Sequence, residues 1–295
     1  MQTLVKEGIM KAINTGMGVA YARATGNLYS KEKRLFEDPY SEKLLSPLYK
    51  FFIFLQHSPK INDAIVKLKD LGWFFCRFRY IDDVLKNSIE KKEIETVVNL
   101  GAGMDCRAYY ISGVENTRYF EVDYPPVIET KKEKIKKILG KLPNHVIYVP
   151  IDFEKQSLNT ELEKAGYDLT SKTLFIWEGV TQYISKEAND STLKYVAQAA
   201  PGSKIVFTYV IKSFIEGKDL KGATEKSMYK WLVKGFKMFI YGLDPTDMGD
   251  YLSKYSLSLL EDIGAEEMNE RYMKLVDLDL PIFEIERMAL AEIKK

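Results

Sequence analysis

The chain has 295 residues, of which 46% are hydrophobic, and its 43 basic and 42 acidic side chains leave a formal net charge of +1. This length and composition suit one large domain with a sizeable core. The near-neutral charge excludes a general electrostatic attraction to nucleic acid or to an anionic membrane. The two cysteines, Cys76 and Cys106, cannot form a disulfide framework, so we expect a reducing, cytoplasmic location. With only two histidines, a zinc site built on several imidazoles is excluded, and we expect no metal.

Residues 1 to about 93 are predicted to form a mostly helical N-terminal cap. Apolar side chains recur at helical spacing between residues 44 and 55, and Ser58-Pro59 interrupts that pattern. A second helical pattern runs from about Ile61 to Ser88, with a break expected near Gly72. The apolar runs in this region are far too short to span a bilayer.

From residue 94 to residue 295, short β-branched and aromatic runs alternate with segments of helical length. This pattern predicts crossover units and a mainly parallel, Rossmann-like sheet. The predicted strands are 95–100, 117–122, 146–151, 173–178, 204–211 and 283–292, with a weaker candidate at 271–277. The last strand closely follows Pro281, which leaves little room for a helix and suggests a final hairpin with one antiparallel strand inserted in the sheet. The aromatic-rich residues at about 212–260 are interpreted as a helical insertion, and a lid over an apolar acceptor pocket is the functional alternative.

The most informative stretch is residues 97–105, where four strand-forming residues run into the turn Gly101-Ala102-Gly103. About twenty residues later, a second short strand ends in two acids, Glu121 and Asp123. A glycine turn lets the backbone approach a ligand closely, and an acid at the tip of the next strand can accept hydrogen bonds from two ribose hydroxyls. The two segments together predict a site for an adenosine-containing cofactor.

The residues after the turn bear on which cofactor binds. The third glycine of a dinucleotide fingerprint is replaced by Cys106, and Asp105 precedes it. A carboxylate at a helix N-terminus suits the helix dipole, but it competes with a pyrophosphate for that positive end. S-adenosylmethionine carries no phosphate, and its sulfonium tolerates nearby acids. We therefore favour S-adenosylmethionine; an NAD-dependent oxidoreductase and a non-catalytic S-adenosylmethionine-binding protein are the alternatives.

Two later strands also end in acids. Asp152-Phe153 follows the third strand, where the acid can accept from the exocyclic amino group of adenine while the ring covers the base. Glu178 follows the fourth strand. Because ligands of open α/β sheets bind at the carboxyl ends of the strands, we expect these acids to share one crevice with the glycine turn.

Residues 98–105, 120–125 and 177–183 together resemble the leucine carboxyl methyltransferase family, and 35–40 and 77–83 resemble its N-terminal motifs. The family includes enzymes that methylate the C-terminal leucine of protein phosphatase 2A, tetracenomycin-type polyketide O-methyltransferases and many uncharacterised microbial members. The resemblance covers roughly residues 20–290. It implies a class I methyltransferase fold, with seven strands and one of them antiparallel, and S-adenosylmethionine as cofactor.

The resemblance also implies roles for individual residues. Gly101-Ala102-Gly103 would line the methionine part of the cofactor, Asp123 would hold the ribose, with Glu121 as a substitute, Asp152 and Phe153 would bind adenine, and Glu178 would lie near the amino group. An arginine before the first strand would grip the cofactor carboxylate with its planar fork. Spacing favours Arg77, and Arg79 fits the microbial version of the motif. The counterpart of an additional N-terminal lysine would be Arg23 or Lys33.

The implied reaction is an in-line displacement of the methyl group from sulfonium by an oxygen nucleophile, in which the enzyme mainly aligns and desolvates the reactants. A carboxylate acceptor is ionised at neutral pH and needs no general base, whereas a hydroxyl acceptor does. We hypothesise that Tyr183, just past the fourth strand, faces an acceptor that is a small molecule or a peptide C-terminus.

Overall fold

The computed structural model describes residues 2–68, 71–153 and 155–294, with side chains described from Ile13 onward except at Asn14. Within these ranges seven strands form one sheet: β1 (Thr96–Leu100), β2 (Arg118–Asp123), β3 (Val146–Pro150), β4 (Thr173–Trp177), β5 (Lys204–Val210), β6 (Leu257–Ile263) and β7 (Glu286–Ile293). The order across the sheet is β3-β2-β1-β4-β5-β7-β6. β7 runs antiparallel to both of its neighbours, β5 and β6, and the other strand pairs of this sheet are parallel. The strand order reverses at β1: β2 and β3 follow it on one side, and β4 and β5 lie on the other. Open α/β sheets form a ligand crevice at such a switch point.

The helices in the described ranges fall into an N-terminal group, a group that covers the sheet and a group after β5. They are α1 (Gln2–Gly26), α2 (Ser41–Leu44), α3 (Pro47–Gln56), α4 (Pro59–Leu68), α5 (Gly72–Glu90), α6 (Arg107–Tyr110), α7 (Pro125–Leu139), α8 (Leu158–Lys164), α9 (Lys186–Val196), α10 (Lys212–Ile215), α11 (Gly222–Met228), α12 (Met248–Ser253) and α13 (Ala265–Met268). None of these helices combines the length and apolar character that a bilayer crossing requires.

The N-terminal prediction is confirmed: helices dominate up to Glu90, α3 ends just before Ser58-Pro59, and α5 begins at Gly72. The break between α4 and α5 includes residues 69–70, which lie outside the described ranges. Six of the predicted strands are present, five of them with both ends within one residue. The sixth is β7, the predicted inserted antiparallel strand, which begins three residues later than expected.

The candidate strand at 271–277 is wrong. Those residues form helical turns, Asn269–Met273 and Lys274–Val276, and Tyr272 and Met273 pack into the core on the α5 side. The sixth strand is β6, whose bulge between Leu259 and Glu261 breaks the alternation by which a strand is recognised. The link to β7 is therefore not a tight hairpin: helical turns run from Ala265 to Val276, and an irregular segment follows at 277–285. The helical insertion after β5 ends at Ser253, so residues 257–260 of the expected 212–260 segment belong to β6.

The sheet is covered on both faces, as its continuous apolar strands predict. On one face Val97 and Ile176 pack with the aromatic residues of α5. On the other face Val98 and Trp177 pack with side chains from α8 and α9. The packing of α5 matters for the site, because it carries charged residues of that helix to the carboxyl ends of β1 and β4.

The turn after β1 requires glycine at its first position. Gly101 has φ +76° and Gly103 has φ +46°, both in the left-handed region. A Cβ on Gly101 would also lie 2.3 Å from Cγ2 of Val180. The turn is thus packed directly against the segment that follows β4, which closes one wall of the crevice.

Replacing Gly101 by alanine should destabilise the fold more than the same change at Gly140, which ends α7 at φ +78° with no neighbour within 4 Å of an added Cβ. Gly140→Ala should cost about 1–2 kcal/mol of unfolding free energy, the scale of left-handed strain. Gly101→Ala should cost a further 1–3 kcal/mol or so, because of the overlap with Val180. Urea unfolding of both variants measures the difference, and equal losses would show that Val180 moves aside without cost.

Candidate functional site

Asp123 lies at the tip of β2 and ties the glycine turn to that strand. Its Oδ2 accepts a hydrogen bond from the Gly103 N–H at 2.6 Å, and its Oδ1 accepts one from the Tyr124 N–H at 2.6 Å. Burial raises the pKa of Asp123, although the two amide donors oppose that shift. Because each carboxylate oxygen has two lone pairs, Asp123 retains acceptor capacity after holding the turn in place.

Glu121 lies on the same face of β2 but deeper in the protein. Its side chain is fully buried and pairs with the Lys131 ammonium from α7 at 2.8 Å. Lys131 also donates to the Ala102 carbonyl at 3.3 Å. Burial raises the pKa of Glu121 to about 7, against the opposing effect of Lys131. The Glu121–Lys131 pair therefore supports the glycine turn from beneath, whereas Asp123 reaches the mouth of the crevice.

A buried network of alternating acids and arginines runs beside the turn. Its members in order are Asp38, Arg23, Asp82, Arg107, Glu178, Arg77 and Glu286, and we call this set the ion-pair network. They come from α1, the loop before α2, α5, α6, the end of β4 and the start of β7. The network thus joins the N-terminal helices to both the middle and the end of the sheet.

Asp82 is the acid shared by the first half of the ion-pair network. Its Oδ1 contacts Arg23 Nη2 at 3.0 Å and Arg107 Nε at 2.6 Å. Arg23 also pairs with Asp38 at 3.0 Å, and the Tyr110 hydroxyl donates to Asp82 at 3.0 Å. All four charged side chains are at most 2% exposed, so these contacts are strong but depend on one another.

Glu178 is the acid shared by the second half. Its Oε2 contacts Arg107 Nη1 at 2.6 Å, and its Oε1 contacts Arg77 Nε at 2.7 Å. Arg77 in turn reaches Glu286 at 3.2 Å, and its guanidinium stacks on the rings of Trp73 and Phe74. The stacking fixes the plane of the Arg77 fork at the end of β4.

Asp105 branches from this network at the turn itself. Its carboxylate accepts from the Arg107 backbone N–H at 2.8 Å, from the Arg107 guanidinium at 2.8 Å and from the Asn99 amide at 2.9 Å. Burial alone would raise the pKa of Asp105, but Arg107, with Arg23 and Lys131, outweighs burial and lowers it to about 2. Asp105 is therefore a fixed negative charge next to the glycine turn.

The charges of this region do not balance. Counted as ionised, the four acids of the network and Asp105 outnumber the three arginines, which leaves a formal charge of −2 among these described residues. Burial raises the pKa of Glu286, although Arg77 opposes the shift. The crevice is thus suited to a ligand that carries positive charge, and Glu286 is placed to take up a proton when the balance changes.

The structure separates the arginine and lysine candidates. Arg79 lies on another side of α5, where its Nε pairs with Asp83 at 2.8 Å and its Nη1 donates to the Leu35 carbonyl at 2.7 Å. Lys33 is exposed, whereas Arg23 is a member of the ion-pair network. Residues two positions apart in an α-helix differ by about 200° around its axis. Of the two α5 arginines, Arg77 therefore contacts Glu178, whereas Arg79 lies on another side of the helix.

Asp152 and Phe153 lie just after the end of β3, as predicted. The Asp152 carboxylate is partly buried and pairs with Lys155 at 2.7 Å. The Phe153 ring is half-buried against the core and lines a cleft of about 310 Å³, together with Ile184 and Tyr195. Phe153 therefore packs on the face of the sheet that α8 and α9 cover, opposite the face covered by α5.

Tyr183 lies in a short helical turn, Thr181–Tyr183, directly after the end of β4. Its ring packs edge-on against Phe239, with 5.4 Å between the centroids. Burial, together with the charge of Glu286, raises the pKa of Tyr183 to about 12, against the effect of Arg77. Aromatic and aliphatic residues of the segment after β5, including Phe214, pack around this tyrosine in one cluster.

Sequence reasoning missed Arg107, Asp82, Asp38 and Glu286. Asp38 and Asp82 lie inside recognised motifs, so a search for partners of the arginines could have suggested them. Arg107 gives a local signal as well, since a cation two residues after Asp105 can pair with it. Glu286 gives none, because nothing in the sequence distinguishes it from the exposed Glu284 nearby.

The sheet order, the single antiparallel strand and the glycine turn at the switch point define a class I methyltransferase fold, as expected. The model of the family described as leucine carboxyl methyltransferase matches residues 16–197, and the chain belongs to that family. The family prediction is thereby confirmed.

Named relatives are described as methyltransferases, and solved structures share the fold. A Bacillus subtilis protein named "Putative S-adenosyl-L-methionine-dependent methyltransferase YktD" is 29% identical over 236 residues, which are 78% of this chain and 76% of that one. A Streptomyces coelicolor protein with the same description is 29% identical over 206 residues, 68% of this chain and 70% of its own. The fold is similar to a DUF574-family protein of Streptomyces avermitilis, with a TM-score of 0.56, 12% identity and coverage of 92% and 97% of the two chains. It is also similar to a "putative methyltransferase" of Thermobifida fusca, with a TM-score of 0.51, 14% identity and coverage of 87% and 93%.

The raised pKa of Glu121 predicts a pH dependence of stability. The carboxyl binds its proton more tightly in the folded chain, at a pKa of about 7, than at its ordinary value of 4.5. Between these two values the folded state holds more protons, so the free energy of unfolding should fall as the pH rises from about 4.5 to about 7 and should level off above it.

Glu121→Gln should remove this pH dependence, which amounts to a fall of about 2–3 kcal/mol in the free energy of unfolding between pH 5 and pH 8. Urea unfolding at both pH values measures it, and the comparison with wild type cancels the contributions of other groups. Glu133→Gln, an exposed site on α7, is the control and should keep the wild-type slope. A slope shared by all three proteins would contradict the assignment.

Proposed function

We propose that this protein is an S-adenosylmethionine-dependent O-methyltransferase that transfers a methyl group to a carboxyl or hydroxyl oxygen of a small molecule or peptide C-terminus. The observation that carries the proposal is the net negative ion-pair network, which meets a glycine turn at the switch point of a class I methyltransferase fold. S-adenosylmethionine bears two positive centres and one carboxylate, so it matches such a crevice where a pyrophosphate would be repelled. Family membership and the names of the relatives support the same cofactor.

The ribose of the cofactor is assigned to Asp123. This carboxylate lies at the tip of β2, at the crevice, and the amides of Gly103 and Tyr124 fix its orientation. Glu121 does not take this role, because it is enclosed beneath the turn and occupied by Lys131. The methionine part then lies along Gly101-Ala102-Gly103, where the absence of side chains permits close approach.

The amino acid end of the cofactor is assigned to Arg77 and Glu178. The Arg77 guanidinium borders Gly179 and is held flat by two aromatic rings, which suits paired hydrogen bonds to a carboxylate. Glu178, beside it, is the acid for the cofactor ammonium group. Glu286 already shares Arg77, so a cofactor carboxylate competes with it, and a proton on Glu286 relieves that competition.

Adenine is assigned to Asp152 and Phe153 at the end of β3. The carboxylate is placed to accept from the exocyclic amino group, and the half-buried ring offers a face to the base. Asp152 also pairs with Lys155 at the surface, with 2.7 Å between the carboxylate and the ammonium group.

The chemical step needs alignment and dehydration more than proton transfer. Sulfonium is already a strong electrophile, and the acceptor oxygen attacks its methyl carbon in line as the C–S bond breaks. Tyr183 has a pKa of about 12, so it is protonated at neutral pH and acts as a hydrogen-bond donor instead of a general base. This protonation state favours an acceptor that is already ionised, and a carboxylate is therefore the preferred nucleophile.

Titration calorimetry tests the cofactor. S-adenosylmethionine and S-adenosylhomocysteine should bind the purified protein with micromolar affinity, and NAD should not bind. Binding of NAD alone would overturn the proposal. Cofactor binding without methyl transfer to any acceptor class would indicate a non-catalytic binding protein.

The same titration on variants tests the site. Asp123→Ala should weaken S-adenosylmethionine binding by about 1–3 kcal/mol, or about 5- to 150-fold, because it strands the ribose hydroxyls. Arg77→Lys should weaken it about tenfold or more through loss of the planar fork. Arg79→Lys is the matched control for the arginine, and Asp250→Ala, an exposed acid on α12, is the control for the acid. A larger loss for Arg79→Lys than for Arg77→Lys would reverse the arginine assignment.

The acceptor class can be read from the product. With S-adenosylmethionine labelled in its methyl group and panels of carboxylic acids, phenols and peptides, we expect label that mild alkali releases as methanol, because esters hydrolyse and aryl ethers do not. Tyr183→Phe should lower kcat for phenols and leave it nearly unchanged for carboxylates. Alkali-stable product, together with unchanged rates in Tyr183→Phe, would exclude both the carboxylate preference and the role of the Tyr183 hydroxyl.

A further inference from the structure

The hairpin of α3 and α4 presents an unusual surface. Seven of the twelve exposed large hydrophobic side chains in the described ranges lie on it, so they form a patch instead of the scattered apolar exposure of an ordinary surface. The seven are Leu48, Phe51, Phe52, Phe54, Leu55, Ile61 and Leu68. We call this set the apolar patch. Phe54 is 70% exposed and Leu68 is 82% exposed.

The outward orientation of these residues is fixed by polar contacts on the inward side of α3. Gln56 is 1% exposed, its Nε2 donates to the Tyr21 hydroxyl at 2.7 Å, and its Oε1 accepts from the Thr25 hydroxyl at 3.2 Å. Ile53 is fully buried on the same side. The helix therefore buries a polar residue and exposes phenylalanines, which is the reverse of an ordinary surface helix.

The patch is bordered by positive charge. Between residues 43 and 68 the sequence has four lysines, Lys43, Lys50, Lys60 and Lys67, and one acid, Asp63. Lys134 on α7 donates to the Leu44 carbonyl at 2.7 Å, which places the basic face of α7 beside α2 and the start of α3. Burial and the charges of Lys50 and Lys137 lower the pKa of Lys134, so these three ammonium groups lie close enough to repel one another. The overall charge of +1 hides this local excess, because charges more than about 10 Å apart are screened at physiological salt.

We propose that the apolar patch is a docking surface for an anionic phospholipid membrane, on which the protein lies without spanning it. Exposed phenylalanines and leucines on a short helix insert at the level of the headgroups, and lysines around them pair with lipid phosphates. A second copy of the chain is a poorer occupant, because a symmetric dimer would bring the same lysines face to face. The proposal is independent of the methyl acceptor and of the cofactor assignments.

The hairpin is also linked to the functional site. Thr25, which holds Gln56, lies on α1 two residues after Arg23 of the ion-pair network. A membrane bound at the patch would therefore lie against the same N-terminal helices that border the crevice.

Vesicle co-sedimentation of the full chain tests the proposal. Vesicles of phosphatidylcholine with phosphatidylglycerol should bind the protein at least tenfold more tightly than phosphatidylcholine alone, and raised salt should weaken binding. Phe51→Ser with Phe54→Ser should lower binding to the anionic vesicles at least tenfold, and Lys50→Glu should lower it by a smaller factor. Leu260→Ser with Leu275→Ser, which changes exposed leucines elsewhere, is the matched control and should bind as wild type does.

Each variant is first checked by thermal unfolding, so that loss of binding is not loss of the fold. No binding to either vesicle, or equal binding to both, would overturn the proposal. It would also be overturned by a dimer in gel filtration that the double phenylalanine variant abolishes, since that result assigns the patch to a second copy.

Discussion

The ion-pair network is the constraint on which the rest of this structure depends. Asp82 and Glu178 are each shared by two arginines, and Arg107 pairs with both acids, so the removal of any one of these five side chains leaves buried charges with fewer partners. Buried ion pairs contribute little net stability compared with an apolar core, but breaking one is costly. The network therefore specifies one arrangement of segments that are distant in sequence, from α1 to β7. Because its acids outnumber its arginines, like charges repel one another in the empty protein, and a bound cationic ligand would reduce that repulsion.

This arrangement makes the N-terminal helices part of the site. Arg23 on α1 and Arg77 on α5 pair with acids whose other partners lie on the sheet, so the cap and the sheet share one set of charges. At the other end, Glu286 on β7 lies outside residues 16–197, the region that matches the family model, yet it contacts Arg77. The region that matches the family model and a strand beyond it are thus coupled through a single guanidinium.

The elements that could be predicted from the sequence are those with local signals. The glycines at 101 and 103, the acid at 123 and the acid at 178 follow from strand ends and from a turn that needs positive φ. The other assignments depend on three-dimensional facts that a local pattern does not contain. Arg77 and Arg79 differ in their direction around a helix, Glu121 and Asp123 differ in depth along one strand face, and Glu286 gains its role from the insertion of β7 beside β5. The strand β6 was missed because a bulge interrupts its alternation.

The position of the negative charge also bears on catalysis in the proposed reaction. As the methyl group passes from sulfonium to a carboxylate, two opposite charges are neutralised, so an acid placed against the sulfonium would stabilise the substrate more than the transition state. The ionised members of the network are instead tied to arginines near Gly179 and the end of β4, where the amino acid end of the cofactor is assigned. In the proposed site the reacting atoms lie beside Tyr183, where aromatic residues provide apolar surroundings and Glu286 and Arg77 are the charges that act on the tyrosine. Binding energy from the charged end can then hold the cofactor while the methyl group is transferred in a region that solvates ions poorly, which favours charge neutralisation.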